Sequence, residues 1–154
     1  MKTYLHTQSG PLIVWWMLVM TAAMVIAGFW LARQCFIPVP ILLLTGWLFH
    51  SLTIEITGEE LCWYFGPGII AKRVRLAEIT SARVVQTTFL EGWGIHWSRF
   101  GWLYNIAGRG AVAVVMQNGK KLALGTDEPE ALASALQFST GKNNADIIKP
   151  FKAV

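Results

Sequence analysis

Apolar residues run without a charge from Leu12 to Ala32, with Thr21 the one polar side chain in the stretch. As a helix these residues extend about 31 Å at 1.5 Å per residue, which matches a hydrocarbon core of about 30 Å and predicts a membrane-spanning helix. A second apolar run, Phe36 to Leu52, opens on Pro38 and Pro40, which suit a first helical turn because its N–H groups have no partner within the helix. It would reach about 25 Å, the short limit for crossing, so tilt or bilayer thinning must supply the rest. Joined by the short Arg33–Ile37 connection, the two runs predict a transmembrane helical hairpin over 12–50. Residues 1–11 then form an amino-terminal tail on the same side as everything after residue 50. A cleaved signal peptide fits poorly, because the first run is too long and no small-x-small site follows it. Arg33 and Gln34 ahead of Cys35 likewise argue against a lipoprotein cleavage site. Trp15, Trp16, Trp30, Trp47 and His50 fall near the ends of the runs, where they read as interface anchors; for the indoles the alternative is ordinary lipid-facing bulk.

From Ser51 the period changes to two. Leu52, Ile54 and Ile56 alternate with Thr53, Glu55 and Thr57, the pattern of a half-buried strand that follows the second span with almost no linker. Glu60–Phe65 and Ile69–Leu76, separated by Gly66-Pro67-Gly68, continue a meander, and Ile79–Thr88 is a fourth strand. Ala111–Gln117 and Lys120–Thr126 flank Asn118-Gly119, the pair that type I′ hairpin turns favour. After Thr126, Asp127 and Glu130 have the spacing of a capping box. Pro129 fits a first turn, and Leu132, Ala135 and Leu136 share one face of a helix over about 128–138. Residues 141–154 are aperiodic and read as a loose tail.

Composition sharpens this division. The first 50 residues hold 33 hydrophobic side chains and only Lys2 and Arg33 as charges, whereas the remaining 104 carry 20 of the chain's 22 charged residues. Beyond His50 the balance is 11 basic against 9 acidic, interspersed, which does not build the concentrated basic face that nucleic-acid binding needs. Cys35 and Cys62 lie in different regions and form neither a disulfide framework nor a zinc pattern. Lys2, Lys72 and Arg73 against Arg33 favour a cytoplasmic amino terminus and globular part.

About seven strands closed by one helix is the order of a pleckstrin-homology-type (PH-like) β-sandwich or barrel. The run Trp93-Gly94-Ile95, then Gly101-Trp102-Leu103-Tyr104-Asn105-Ile106-Ala107-Gly108 and Gly125-Thr126-Asp127-Glu128-Pro129, preceded by Leu52-Thr53-Ile54-Glu55-Ile56, resembles small bacterial membrane proteins with a PH-like domain behind a transmembrane hairpin. The resemblance covers Leu12 to about Phe138. It implies a membrane α-helical hairpin plus an all-β PH-like sandwich over 51–140 with a carboxy-terminal α-helix, in the bacterial cytoplasmic (inner) membrane. It implies no activity, since fold does not fix function.

Two groups of residues stand out as candidate sites. Phe89–Gly110 concentrates aromatics, glycines and two arginines, and Trp93, Trp97, Arg99, Phe100 and Trp102 read as a surface for lipid or a protein partner; the competing reading is a small sandwich core with glycine-built turns. Lys72, Arg73 and Arg75 read as contacts for anionic headgroups, worth about 1 kcal/mol per cation near a membrane surface. PH domains that bind phosphoinositides carry a basic-x-Arg strand motif, but in this chain it falls in the third strand. A solvated strand edge is the reading that fits these charges better. His6, His50 and His96 lie far apart with no carboxylate at ligand spacing, so no metal is expected. No phosphate-cradling or nucleophile-elbow motif occurs, and no cofactor or catalytic residue is assigned. The expectation is a non-enzymatic binding or assembly module, acting on membrane lipids, a protein partner or a second copy. An accessory subunit that stabilises a membrane enzyme or transporter is the alternative, and an unrecognised enzyme the third.

Overall fold

The computed structural model describes residues 2–88 and 93–140. It opens with a strand rather than a tail: β1 (Lys2–Ser9) pairs antiparallel with β2 (Ser51–Thr57), in a register running from Lys2↔Thr57 to Ser9↔Ser51. Between these strands the chain makes a helical excursion, α1 (Pro11–Trp30), a 3₁₀ turn (Arg33–Phe36) and α2 (Val39–Leu48). The Gly10 N–H donates to the His50 carbonyl at 2.9 Å, so the excursion leaves and returns at one point of the sheet edge.

Of the two helices, α1 alone is long and apolar enough to cross a membrane among the described residues. The second apolar run is shorter as a helix than its composition suggests. Its first residue, Phe36, ends the 3₁₀ turn and Leu52 is taken into β2, leaving α2 ten residues. The helices pack through their glycines. Gly28 lies under the Phe36 ring, where a Cβ would collide, and Gly46 lies against Met17. Thr21 and Thr45 donate their hydroxyls back to the carbonyls of Met17 and Ile41, which satisfies both within their own helices.

The rest of the chain builds two sheets. β1, β2, β3 (Glu60–Phe65) and β4 (Ile70–Arg75) lie side by side in that order. After a 3₁₀ turn, β5 (Ile79–Gln86), β6 (Gly94–Ser98), β7 (Gly101–Asn105), β8 (Gly110–Met116) and β9 (Lys121–Gly125) form the second, in the order β5-β8-β9-β7-β6. All pairings are antiparallel except β7 with β9. Alternation assigns the faces. Leu52, Ile54 and Ile56 of β2 and Leu61, Trp63 and Phe65 of β3 meet Val112, Val114, Leu122 and Leu124 of the second sheet in one buried core. The helix α3 (Pro129–Thr140) closes that core with Leu132, Ala133 and Leu136.

Three local expectations change. The β8–β9 turn is not type I′, because among its residues only Gly119 has positive φ (+78°); the Gly119 N–H donates to the Met116 carbonyl, giving a type I turn followed by a left-handed glycine. The start of α3 is not a capping box either. The helix begins at Pro129, the Thr126 hydroxyl accepts the Glu128 N–H, and Asp127 is drawn instead to His6 of β1 at 2.6 Å. The segment read as one aromatic stretch holds the strands β6 and β7, so nine strands rather than about seven are described. Phe89 to Gly92 and the expected tail 141–154 lie outside the described residues.

Candidate functional site

The two sheets do not close against each other along their whole length. At the edge formed by β4 of the first sheet and β6 of the second, they part to leave a cleft of about 1300 Å³. Its floor is apolar. Trp63 and Tyr104 stack edge to face with ring centroids 5.2 Å apart, flanked by Ile70, Val74, Ile95 and Leu122. Burial pushes the Tyr104 phenol above its usual range, so it stays neutral as part of an apolar wall.

The register explains how the charged rim arises. Lys72 is the cross-strand partner of Trp63, and Val74 that of Leu61, so β4 turns Ile70, Lys72 and Val74 toward the cleft. Arg73 and Arg75 line its outer lip, with Arg73 3.8 Å from Glu60 in an exposed pair. From the other sheet come Lys120 and Lys121, beside the β8–β9 turn. Five basic residues therefore face two acids, Glu60 and Glu78, among the described lining residues. Trp97 and Trp102, 61% and 48% exposed, pack edge to face at 5.9 Å at the lip. Trp63 is 2% exposed, and its indole N–H has no hydrogen-bond partner among the described residues.

The two groups of candidate residues thus meet only in part. Trp97, Trp102, Lys72, Arg73 and Arg75 share the cleft, while Trp93, half-buried, precedes β6. Phe100 does not belong to the exposed surface. It is 8% exposed and covers the outer face of the second sheet, where Ala111, Ala113 and Ala123 leave room for one large ring. Arg99 holds that arrangement in place, donating from Nη2 to the Gln86 carbonyl at 2.8 Å with its guanidinium 4.7 Å from the centre of the Phe100 ring. Ser98 completes the turn, its hydroxyl donating to the Gly101 carbonyl and accepting the Phe100 N–H. Gly101 has φ +90° and its Cα lies against the Lys121 carbonyl, so a side chain there would be both strained and overlapped.

The membrane-anchor candidates lie elsewhere. Trp15 and Trp16 on α1 and Trp47 near the end of α2 are exposed close to the sheet edge, and Trp30 is exposed at the far end of α1. Trp15 and Trp30 are about 22 Å apart along the helix axis. The His50 ring donates from Nδ1 to the Trp47 carbonyl at 2.8 Å and caps the turn where α2 meets β2. Sequence reasoning missed the cleft itself, together with Trp63, Tyr104, Lys120 and Lys121, because the lining comes from six strands distant in the chain. Among the described residues no group of three His, Cys, Asp or Glu is placed to hold a metal ion. No family model, curated protein or solved structure matches this chain.

Proposed function

We propose that the chain is an integral membrane protein of the bacterial cytoplasmic membrane, in which α1 and α2 form an embedded hairpin and a PH-like two-sheet domain acts at its cytoplasmic surface as a non-enzymatic binding or assembly module. The pairing of β1 with β2 carries this reading. Ser9 and Ser51 are opposed in the ladder and Gly10 is bonded to His50, so a chain that enters the bilayer along α1 has to come back to the same point. An entry of about 30 Å is spanned by α1. The return over 31–50 is made by the 3₁₀ turn, α2 and their connectors. Leu12, Trp15, Trp16, Phe29, Trp30, Ile41, Leu43, Leu44 and Trp47 are all exposed, an apolar surface far larger than a water-soluble domain carries.

Anchor and domain are coupled without a linker. Phe49 stacks on Phe65 at 5.1 Å, and Gly10 sits against Ile106. A domain held this way cannot swing freely, which suits a module that presents one cleft at a set height above the membrane. The two-sheet core with a closing carboxy-terminal helix supports the PH-like reading; nine strands and the parallel β7–β9 pair are departures from its simplest form. Basic residues on the domain side, Lys72 and Arg73 among them, against Arg33 between the helices favour the cytoplasmic placement. Alkaline carbonate washing of membranes from expressing cells tests the embedding. The chain is expected to stay in the pellet, and release into the supernatant would mean that the helices lie outside the bilayer.

A further inference from the structure

We infer that the cleft between β4 and β6 takes an acidic, extended segment of a partner protein that carries apolar side chains among its carboxylates. The inference rests on the reading of the two-sheet domain as a binding module and names what it binds.

Charge complementarity sets the sign of the occupant. Lys72, Lys120 and Lys121 line the cleft and Arg73 and Arg75 its outer lip, against Glu60 and Glu78. Lys72 lies across the ladder from Trp63, whose buried indole N–H has no partner among the described residues. Both groups donate hydrogen bonds, so an acceptor, and best a carboxylate, matches them. The apolar floor and the exposed Trp97–Trp102 pair match side chains that leave water, and tryptophans in such positions commonly anchor protein partners.

Position argues against the host bilayer as the source of the anion. Phe65 marks the base, beneath Phe49 at the root of the helices. Counting up β3 and β4 from the Phe65↔Ile70 pair, Lys72 stands two residues away, Val74 four and Arg75 five. At about 3.3 Å per residue these lie roughly 7, 13 and 17 Å along the strands, so the rim opens away from the membrane end. Size argues against a small molecule, since about 1300 Å³ exceeds the roughly 300–1,000 Å³ of ordinary ligand pockets. Both walls end in edge strands, β4 and β6, which offer main-chain groups to an added strand.

The full chain in lipid nanodiscs, panned against a display library of random twelve-residue peptides, tests the inference. Enrichment of sequences in which Asp or Glu alternates with aliphatic or aromatic residues is the expected result. Their binding should weaken at least tenfold in the Lys72→Glu, Lys120→Glu double variant, at least tenfold in the Trp97→Ala, Trp102→Ala double variant, and steadily as salt rises. All four positions are at the surface, and an unchanged melting midpoint will show that each variant is folded. Recovery of no peptide, of neutral or basic peptides, or of binders indifferent to both double variants would overturn the inference. So would binding of dodecanoate or of anionic vesicles at the cleft in the absence of any acidic peptide. Because panning works equally on detergent-solubilised protein, its failure is separate from a failure of the membrane placement, which carbonate washing reads.

Discussion

Replacing residues 10–50 with Asn-Gly is expected to give a soluble β-rich protein in place of a chain that the proposed hairpin holds in the membrane. Ser9 and Ser51 are directly opposed, and a two-residue turn of Asn-Gly type joins such a pair without disturbing the ladder. Shortening the connection also removes about 2.5 kcal/mol of loop-closure entropy. What is lost is the cover over Phe65 from Phe49 and the contact of Gly10 with Ile106, modest beside the apolar surface that leaves with the two helices. The shortened chain is expected in the soluble fraction, with a β-type far-UV spectrum and one cooperative melting transition. Precipitation or a disordered spectrum would show that β1 does not belong to the sheet, or that the helices are needed to form it.

Phe65→Ala will be the most damaging single substitution in the domain, costing about 3–5 kcal/mol through the lost transfer energy and the cavity left behind. Phe65 is 1% exposed and stands where three parts of the molecule meet: Phe49 from the anchor at 5.1 Å, Tyr104 from the second sheet at 6.4 Å, and Leu52 opposite it on β2. At about 4–8 °C per kcal/mol for a domain near this size, the melting midpoint should fall by more than 12 °C. Phe65→Leu keeps most of the volume and should cost less than about 1.5 kcal/mol. Melting of the full chain in detergent measures both, and near-equal midpoints for Phe65→Ala and the unaltered chain would remove Phe65 from the junction.

The central strands and both long helices were legible because each carries its own period: 2 in Leu52–Thr57, an unbroken apolar run in Leu12–Ala32, and about 3.6 in the last helix. β1 was not. Its inward positions are Tyr4, His6 and Gln8 and its outward ones include Leu5, so it shows no apolar alternation; main-chain bonds to β2 and the reach of His6 to Asp127 hold it. Phe100 could not be told from its exposed neighbours, because clustered aromatics look alike in a sequence whether they cover a sheet or face solvent. The alanines at 111 and 113, alternating with Val112 and Val114, were the signal that one face of β8 has room for a large ring. Asn118-Gly119 correctly marked a turn, but Asn118 keeps a negative φ, so the pair could not fix its type. The cleft was half visible. Its basic and aromatic contributors both stood out, but they lie in different sheets, and only the placing of β4 across the cleft from β6 and β7 brings them together.

Cys35 and Cys62 give the account its most direct test. Cys35 lies in the turn between the helices and Cys62 is half-exposed on β3, so a membrane hairpin puts them on opposite sides of the bilayer. Burial and the nearby Glu60 raise the Cys62 thiol's pKa above its usual range, and its reaction with maleimide should be run at mildly alkaline pH so that enough thiolate is present. Single-cysteine variants, Cys62→Ser and Cys35→Ser, are exposed to a membrane-impermeant maleimide on intact spheroplasts and again after permeabilisation. The account predicts that Cys35 labels in intact spheroplasts and Cys62 only once the membrane is opened. Labelling of both cysteines in intact spheroplasts, or of both only after permeabilisation, would place the turn and the domain on one side, and the hairpin would be wrong.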